Sequence, residues 1–197
     1  IIFNCYSANT NLLENHKMEV NEDFKTLLFI GRFDKVKGID ILLNVFTDYI
    51  NETQSKLKLK LIGGGLEMDL VKKYESESII VKEFVQPEFL IEEVKDVQGF
   101  ILPSISEPWG VVIHEMAAAG LPLLVSDVCG ANSVFAIHNY NSFIFKANDE
   151  IELRNAIEKF DSTSNSQLIK MGKRSKVLSK KINPEISAAS LMSIKLK

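Results

Sequence analysis

The sequence predicts an α/β fold, a doubly wound parallel sheet, and three observations carry that prediction. Apolar runs of strand length recur along the chain. Glycine, proline or a polar loop closes them, and segments with apolar residues at helical spacing alternate with them. Strands alternating with helices of this length imply right-handed crossovers, and hence a sheet covered on both faces.

The first strand is Thr26 to Ile30, a continuous apolar run closed by Gly31, as in a buried parallel strand. Its helix starts just after Gly38, where Ile39, Leu42, Leu43, Phe46 and Ile50 recur at helical spacing with Asp40, Asn44 and Asp48 between them. Leu57 to Ile62 repeats the couplet, ending in Gly63-Gly64-Gly65 and followed by a helix from Leu66 to about Tyr74. Ile79 to Val81 is a short third strand. Pro87 then opens a helix carrying Phe89, Leu90 and Val94, since proline suits a first helical turn. Gly99 to Leu102 is the fourth strand, stopped by Pro103, with Trp109 to Ala119 as its helix. Pro122 to Val125, a short helix over Ala131 to His138, and a sixth strand over Ser142 to Phe145 complete the sheet. Leu153, Ala156, Ile157 and Phe160 mark the last helix of the repeat.

Residues 1–24 and 162–197 stand outside this pattern. The first, including the polar stretch from Ala8 to Asp23, reads as a link. The second, with Ser162-Thr163-Ser164-Asn165-Ser166 ahead of a basic helix, reads as a helical extension to a core domain over 25–161. The start at Ile1, apolar and without methionine, reads as the interior of a longer protein.

Composition bounds the function. With 23 basic and 26 acidic residues mixed along the chain, a net charge of −3 offers no broad positive field for nucleic acid. Cys5 and Cys129 are isolated, without the spacing of a zinc site or disulfide framework, which points to a reducing cytoplasm. No apolar run approaches the roughly 20 residues of a membrane span.

In an open parallel sheet, ligands bind outside the carboxyl ends of the strands. After the first strand, Gly31-Arg32 and Lys37-Gly38 bring two cations to a helix start. Such a loop holds a diphosphate by a planar guanidinium fork, a point charge and the helix dipole, or it is an ordinary solvated turn. After the second strand, Gly63, Gly64 and Gly65 either let backbone amides approach a ligand or serve a tight turn. They also open a partial dinucleotide fingerprint, with Glu83 downstream, which fails because Met68 occupies the third glycine position. After the fourth strand, Glu107 precedes a helix whose start at Trp109, Gly110 and Val111 offers free amides. Glu115 lies two turns inside, among Val111, Val112, Ala118 and Ala119. A carboxylate on that apolar face needs a partner, either protein or a ligand's hydroxyl pair. His114 has no nucleophile elbow before it and reads as packing; His16 and His138 have no ligand spacing, and no metal site assembles. The basic cluster of Lys170, Lys173, Arg174, Lys176, Lys180 and Lys181 reads as a solvated helix face.

Taken in order from about Leu27 to Phe145, these residues resemble the retaining, metal-independent glycosyltransferases of the two-domain GT-B architecture. The resemblance rests on Gly31-Arg32, Lys37-Gly38, the Gly63-Gly64-Gly65 turn, Pro103-Ser104, and Glu107 and Glu115 at the Glu-x7-Glu spacing before Ala117-Ala118-Ala119-Gly120-Leu121-Pro122. It implies the Rossmann-like C-terminal domain of such an enzyme, which binds a nucleoside-diphosphate sugar. By resemblance, Arg32 and Lys37 hold the diphosphate, Glu115 the ribose, and Glu107 the donor sugar. Gly31, Gly64 and the amides of Trp109, Gly110 and Val111 complete the site. Neither metal nor cofactor is implied, and no protein nucleophile. The acceptor, a glycan or lipid-linked group, would be bound by an N-terminal half not included in this chain. The implied setting is cytoplasmic, peripheral to the inner membrane in the longer protein, in bacterial polysaccharide or glycoconjugate synthesis. The chain lacks the family's glycine near Glu83 and Phe84, beside the base. It also carries Gly130-Ala131-Asn132-Ser133 and Asn141-Ser142 in place of a Gly-Gly pair with glutamate and of Asn-Gly. A non-catalytic module of the same kind and a dinucleotide-dependent enzyme are the alternatives. Intact Arg32, Lys37, Glu107 and Glu115 argue against the first, and the broken glycine fingerprint against the second.

Overall fold

In the computed structural model, which describes residue 10 and residues 13–193, six strands form one parallel sheet. They are β1 (Thr26–Arg32), β2 (Lys58–Gly64), β3 (Ile79–Lys82), β4 (Gly99–Leu102), β5 (Leu123–Ser126) and β6 (Ser142–Phe145), in the order β3-β2-β1-β4-β5-β6. The winding direction reverses between β1 and β4, so a crevice opens at their carboxyl ends. Cys5 and most of the first twelve residues lie outside the described residues.

The fold class agrees with the sequence reading, and the differences are local. β1 and β2 run two residues further than expected, because Gly31 pairs with Gly63 and Arg32 with Gly64. A glycine there continues the ladder rather than ending it. α1 (Ile39–Thr53) follows its expected apolar pattern and buries Ile39, Leu42, Leu43 and Phe46. α2 is shorter than expected, Met68–Lys73, since residues 65–67 form the turn. Pro87–Phe89 form a single 3-10 turn leading into α3 (Leu90–Val94). α4 spans Val111–Ala119 and starts two residues after Trp109, because Gly110 takes a left-handed conformation, φ 92°, that no helix can include. α5 is only Asn132–Phe135, and α6 spans Glu150–Ser162.

The core lies on both faces of the sheet. Leu27, Leu28 and Phe29 of β1 and every residue of β4 are buried. On one side α6 sets Phe160 so close to β4 that a Cβ at Gly99 would stand 2.4 Å from its ring. Lys60 is buried in β2 and is held by ion pairs to Glu93 and Asp96, with Lys82 also on Glu93.

The segment read as an extension forms α7 (Asn165–Ser179) and α8 (Pro184–Met192), and α7 packs along α4 and α5. The contact is backbone to backbone: a Cβ on Gly172 would lie 2.1 Å from the Gly120 carbonyl oxygen. No helix among the described residues is long and apolar enough to cross a membrane. Gly172→Ala is expected to push α7 off α4 and destabilise the fold by about 1–3 kcal/mol. Urea unfolding would read this as a lower midpoint at unchanged slope.

Candidate functional site

The loop after β1 is organised by one carboxylate. Asp34 has an extended backbone, φ −145°, and its Oδ1 accepts from the Lys37 amide at 3.0 Å, capping the 3-10 turn Lys35–Lys37. Its Oδ2 lies 3.1 Å from Arg32 Nη2. Arg32 is nonetheless 75% exposed, so its fork stays available to a ligand. Gly38 follows with φ 66°, and a Cβ there would stand 2.2 Å from the Pro103 carbonyl oxygen. Glycine therefore lets this loop press against the end of β4. The Ile105 amide donates to the Val36 carbonyl at 2.8 Å, tying the loops after β1 and β4 together.

Across that joint, Lys37 Nζ donates to Glu107 Oε2. Both side chains are largely shielded, 18% and 11% exposed, so this pair is far less screened than a surface ion pair. Glu107 is held by its backbone, whose carbonyl accepts from the Gly130 amide at 3.2 Å, and Gly110 lies against its Cγ. The Trp109 carbonyl accepts from Ala131 at 2.9 Å, and the Trp109 ring meets Phe135 edge-on at 6.3 Å. The first amides of α4, at Val111 and Val112, have no acceptor within the helix. His114 is structural. Its ring stacks on Phe135 at 4.2 Å, Nε2 donates to the Ser179 carbonyl at 2.9 Å, and burial holds its pKa below the ordinary imidazole range.

Gly31, Arg32, Gly64 and Glu115 line one cleft of about 460 Å3 at the carboxyl ends of β1 and β2. Glu115 has no hydrogen-bond or ion-pair partner among the described residues, so the protein partner that its setting demands is not there. Burial raises its pKa. Lys37 and Glu107 form a separate pair beyond this lining, joined to Arg32 through Asp34. Gly63 and Gly65 serve a close approach of another kind. Cβ atoms there would stand 1.9 Å from the Gly31 oxygen and 2.6 Å from the Phe33 oxygen, so both glycines let the chain pass close to the end of β1, and Gly63 also lines the cleft. A Cβ at Gly64, which also lines the cleft, would meet only Met68 Cε, at an ordinary 3.8 Å. Glu83 does not line the cleft, and Met68, at the failed third glycine, opens α2.

The sequence reading missed Asp34 and the apolar wall of Ile30, Ile62, Phe84, Val85, Pro87 and Leu90. Asp34 was within reach, because an aspartate three residues before Lys37 ahead of a helix fits a capping position. Phe84 gave a fainter signal, as an aromatic between a strand and Pro87. No group of three or more His, Cys, Asp or Glu side chains among the described residues is placed to hold a metal ion.

The model of the family described as "Glycosyl transferases group 1" matches residues 13–177. An uncharacterized glycosyltransferase of Methanocaldococcus jannaschii, MJ1178, is 30% identical over 182 residues, covering 87% of this chain and 48% of that protein. Sucrose-phosphate synthase from Thermosynechococcus elongatus superposes with a TM-score of 0.78 at 22% identity, over 94% of this chain and 49% of that one. The pneumococcal O-GlcNAc transferase GtfA, in complex with UDP and GlcNAc, superposes with a TM-score of 0.71 at 18% identity, over 90% and 37%. The six-stranded sheet is thus the Rossmann-like fold of GT-B glycosyltransferase structures, and the chain spans less than half the length of each of these proteins.

Glu115 gives the unliganded chain a definite pH response. A carboxyl whose pKa is raised by folding contributes stability that is present below its unfolded pKa and is lost as pH rises through the folded one. Glu115→Gln removes that loss. Thermal melts are expected to show the variant matching the parent at about pH 4 and exceeding it at about pH 8.

Proposed function

The chain belongs to the group 1 glycosyl transferases, and on that premise we propose that it is the nucleotide-sugar-binding half of a retaining glycosyltransferase. The observation that carries this reading is an unpartnered carboxylate, Glu115, sharing one cleft with the exposed guanidinium of Arg32. A ribose brings two hydroxyl donors to the first, and a diphosphate brings oxygens to the second. GtfA, solved with UDP and GlcNAc, supports the nucleotide-sugar part of the reading.

In this reading the Lys37–Glu107 pair is the resting state of the reacting end. The diphosphate competes for the Lys37 ammonium and thereby releases Glu107 to accept from a hydroxyl of the donor sugar. Arg32, Lys37 and the amides of Trp109, Gly110 and Val111 then face the charge that develops as the sugar–phosphate bond breaks, which is electrostatic stabilisation of the leaving group. The acceptor oxygen attacks from the face the diphosphate is leaving, and its proton passes to the departing phosphate oxygen. The anomeric configuration is kept without a protein nucleophile and without a metal. The acceptor, a glycan or lipid-linked group in polysaccharide or glycoconjugate synthesis, is bound by the part of the longer protein that its relatives carry and this chain does not.

Calorimetric titration with UDP, GDP and ADP, and with NAD as a control, tests the proposal. One diphosphate is expected to bind selectively and to weaken about tenfold or more in Arg32→Ala and in Glu115→Ala. Binding of NAD but of no diphosphate would sink it. Glu107→Gln is expected to do the opposite of a contact residue toward the free diphosphate. By freeing Lys37 it tightens binding severalfold, while sugar transfer by the longer protein falls.

A further inference from the structure

Glu107 is held by a second loop, the one that leaves β5. The chain there forms an isolated parallel bridge that sets Cys129 beside Glu107. The Gly130 amide donates to the Glu107 carbonyl at 3.2 Å and the Ala131 amide to the Trp109 carbonyl at 2.9 Å, so both ends of the segment 107–109 are tied to consecutive residues of that loop. Between these two bonds the chains touch. A Cβ at Gly130 would stand 2.2 Å from the Pro108 carbonyl oxygen, well short of the 3.4 Å at which ordinary van der Waals contact begins. The obstacle is main chain, which cannot turn aside as a side chain can. Gly130 is not among the residues with positive φ, so its backbone suits an alanine and only the space is denied. The loop is itself fixed. Ser126 Oγ donates to the Ser104 carbonyl at 2.6 Å, with both residues fully buried, and the Ser126 carbonyl accepts from the Cys129 amide at 3.3 Å and from Asn132 Nδ2 at 2.8 Å.

Lys37 is set by the loop after β1, where Asp34 caps its turn, and Glu107 must be brought to it from elsewhere. A side-chain carboxylate follows its own backbone, and a misplacement of about 1 Å at a reacting centre costs of the order of a hundredfold in rate. We propose that Gly130 is a positioning residue: its missing side chain lets the loop after β5 close on residues 107–109 and so hold the Glu107 carboxylate against Lys37. The catalytic meaning of this role rests on the reading of Glu107 as the contact to the donor sugar, whereas the geometry does not. Gly172 is the natural comparison. It lies equally tight against a carbonyl oxygen, 2.1 Å from a built Cβ, but that oxygen belongs to Gly120 at the far end of α4. Alanine at either glycine forces backbones apart, and only at Gly130 does the displaced backbone carry Glu107.

The test follows the Lys37 ammonium by nuclear magnetic resonance in the isotope-labelled chain, because pairing with a shielded carboxylate slows its proton exchange with water enough to give a signal. Glu107→Gln identifies that signal by removing it. Gly130→Ala is compared with Gly172→Ala, with urea midpoints as the measure of folding. Affinity for UDP, GDP and ADP is measured for both, for Glu107→Gln, and for Gly130→Ala combined with Glu107→Gln. The Lys37 signal is expected to shift or vanish in Gly130→Ala and to stay in place in Gly172→Ala. Diphosphate binding is expected to tighten severalfold in Gly130→Ala, as in Glu107→Gln, with no further gain when the two are combined. A loss of stability alone neither moves that signal nor tightens binding. Should Gly130→Ala not fold, Ser126→Ala, which removes the hydrogen bond to the Ser104 carbonyl, is expected to shift the same signal by a smaller amount. An unchanged Lys37 signal in the folded variant, or gains that add in the combined one, overturns the proposal. If the parent chain binds no diphosphate, the donor-site reading fails, while a Lys37 signal that moves in Gly130→Ala and not in Gly172→Ala still upholds the positioning of Glu107.

Discussion

The main-chain hydrogen bond from Ile105 to Val36, with Gly38 pressed on the Pro103 carbonyl, is the constraint on which the site depends. It joins the loops that leave β1 and β4, the two strands between which the sheet changes winding direction. Lys37 comes from one loop and Glu107 from the other, and they are 70 positions apart in the chain. Backbone contacts of this kind have no side chain to swing away, so the pair is held in register by the fold rather than by its own attraction.

The carboxylates on either side of this joint show what shielding does with and without a partner. Glu107 meets Lys37, and the remaining requirement is geometric. Glu115 meets no partner among the described residues, and burial pushes its proton affinity up. A folded chain tolerates that imbalance only where it is offset elsewhere, here by a core that buries β4 completely and by Leu27, Leu28 and Phe29 beside it. Instability concentrated at one polar group within a well-packed frame marks a binding position more sharply than composition does.

Most of the fold was legible because its signals are local. β4 and β6 match their expected bounds to the residue, since proline and polar neighbours interrupt the apolar run on each side. Glycines were the ambiguous letters. Gly31 looked like a stop and is a paired strand residue, whereas Gly63 and Gly65 looked like room for a ligand and also make room for the Gly31 and Phe33 carbonyls. Which neighbour a missing Cβ makes way for is a matter of tertiary approach, and spacing along the chain does not encode it. The same holds for the apolar wall of Phe84, Val85, Pro87 and Leu90, whose loop could be located but not aimed. Glu115 was the reverse case: its apolar helical neighbours already stated a need that the structure leaves open.

Lys176 grips the carbonyls of Glu14 and His16 while Gly172, one turn earlier on the same helix, rides on Gly120. Tension applied to the chain at residues 13–16 and torque applied to α7 therefore load the same corner, at the end of the helix that carries Glu115. Force entering by either route arrives at the C-terminal end of α4, one turn beyond Glu115.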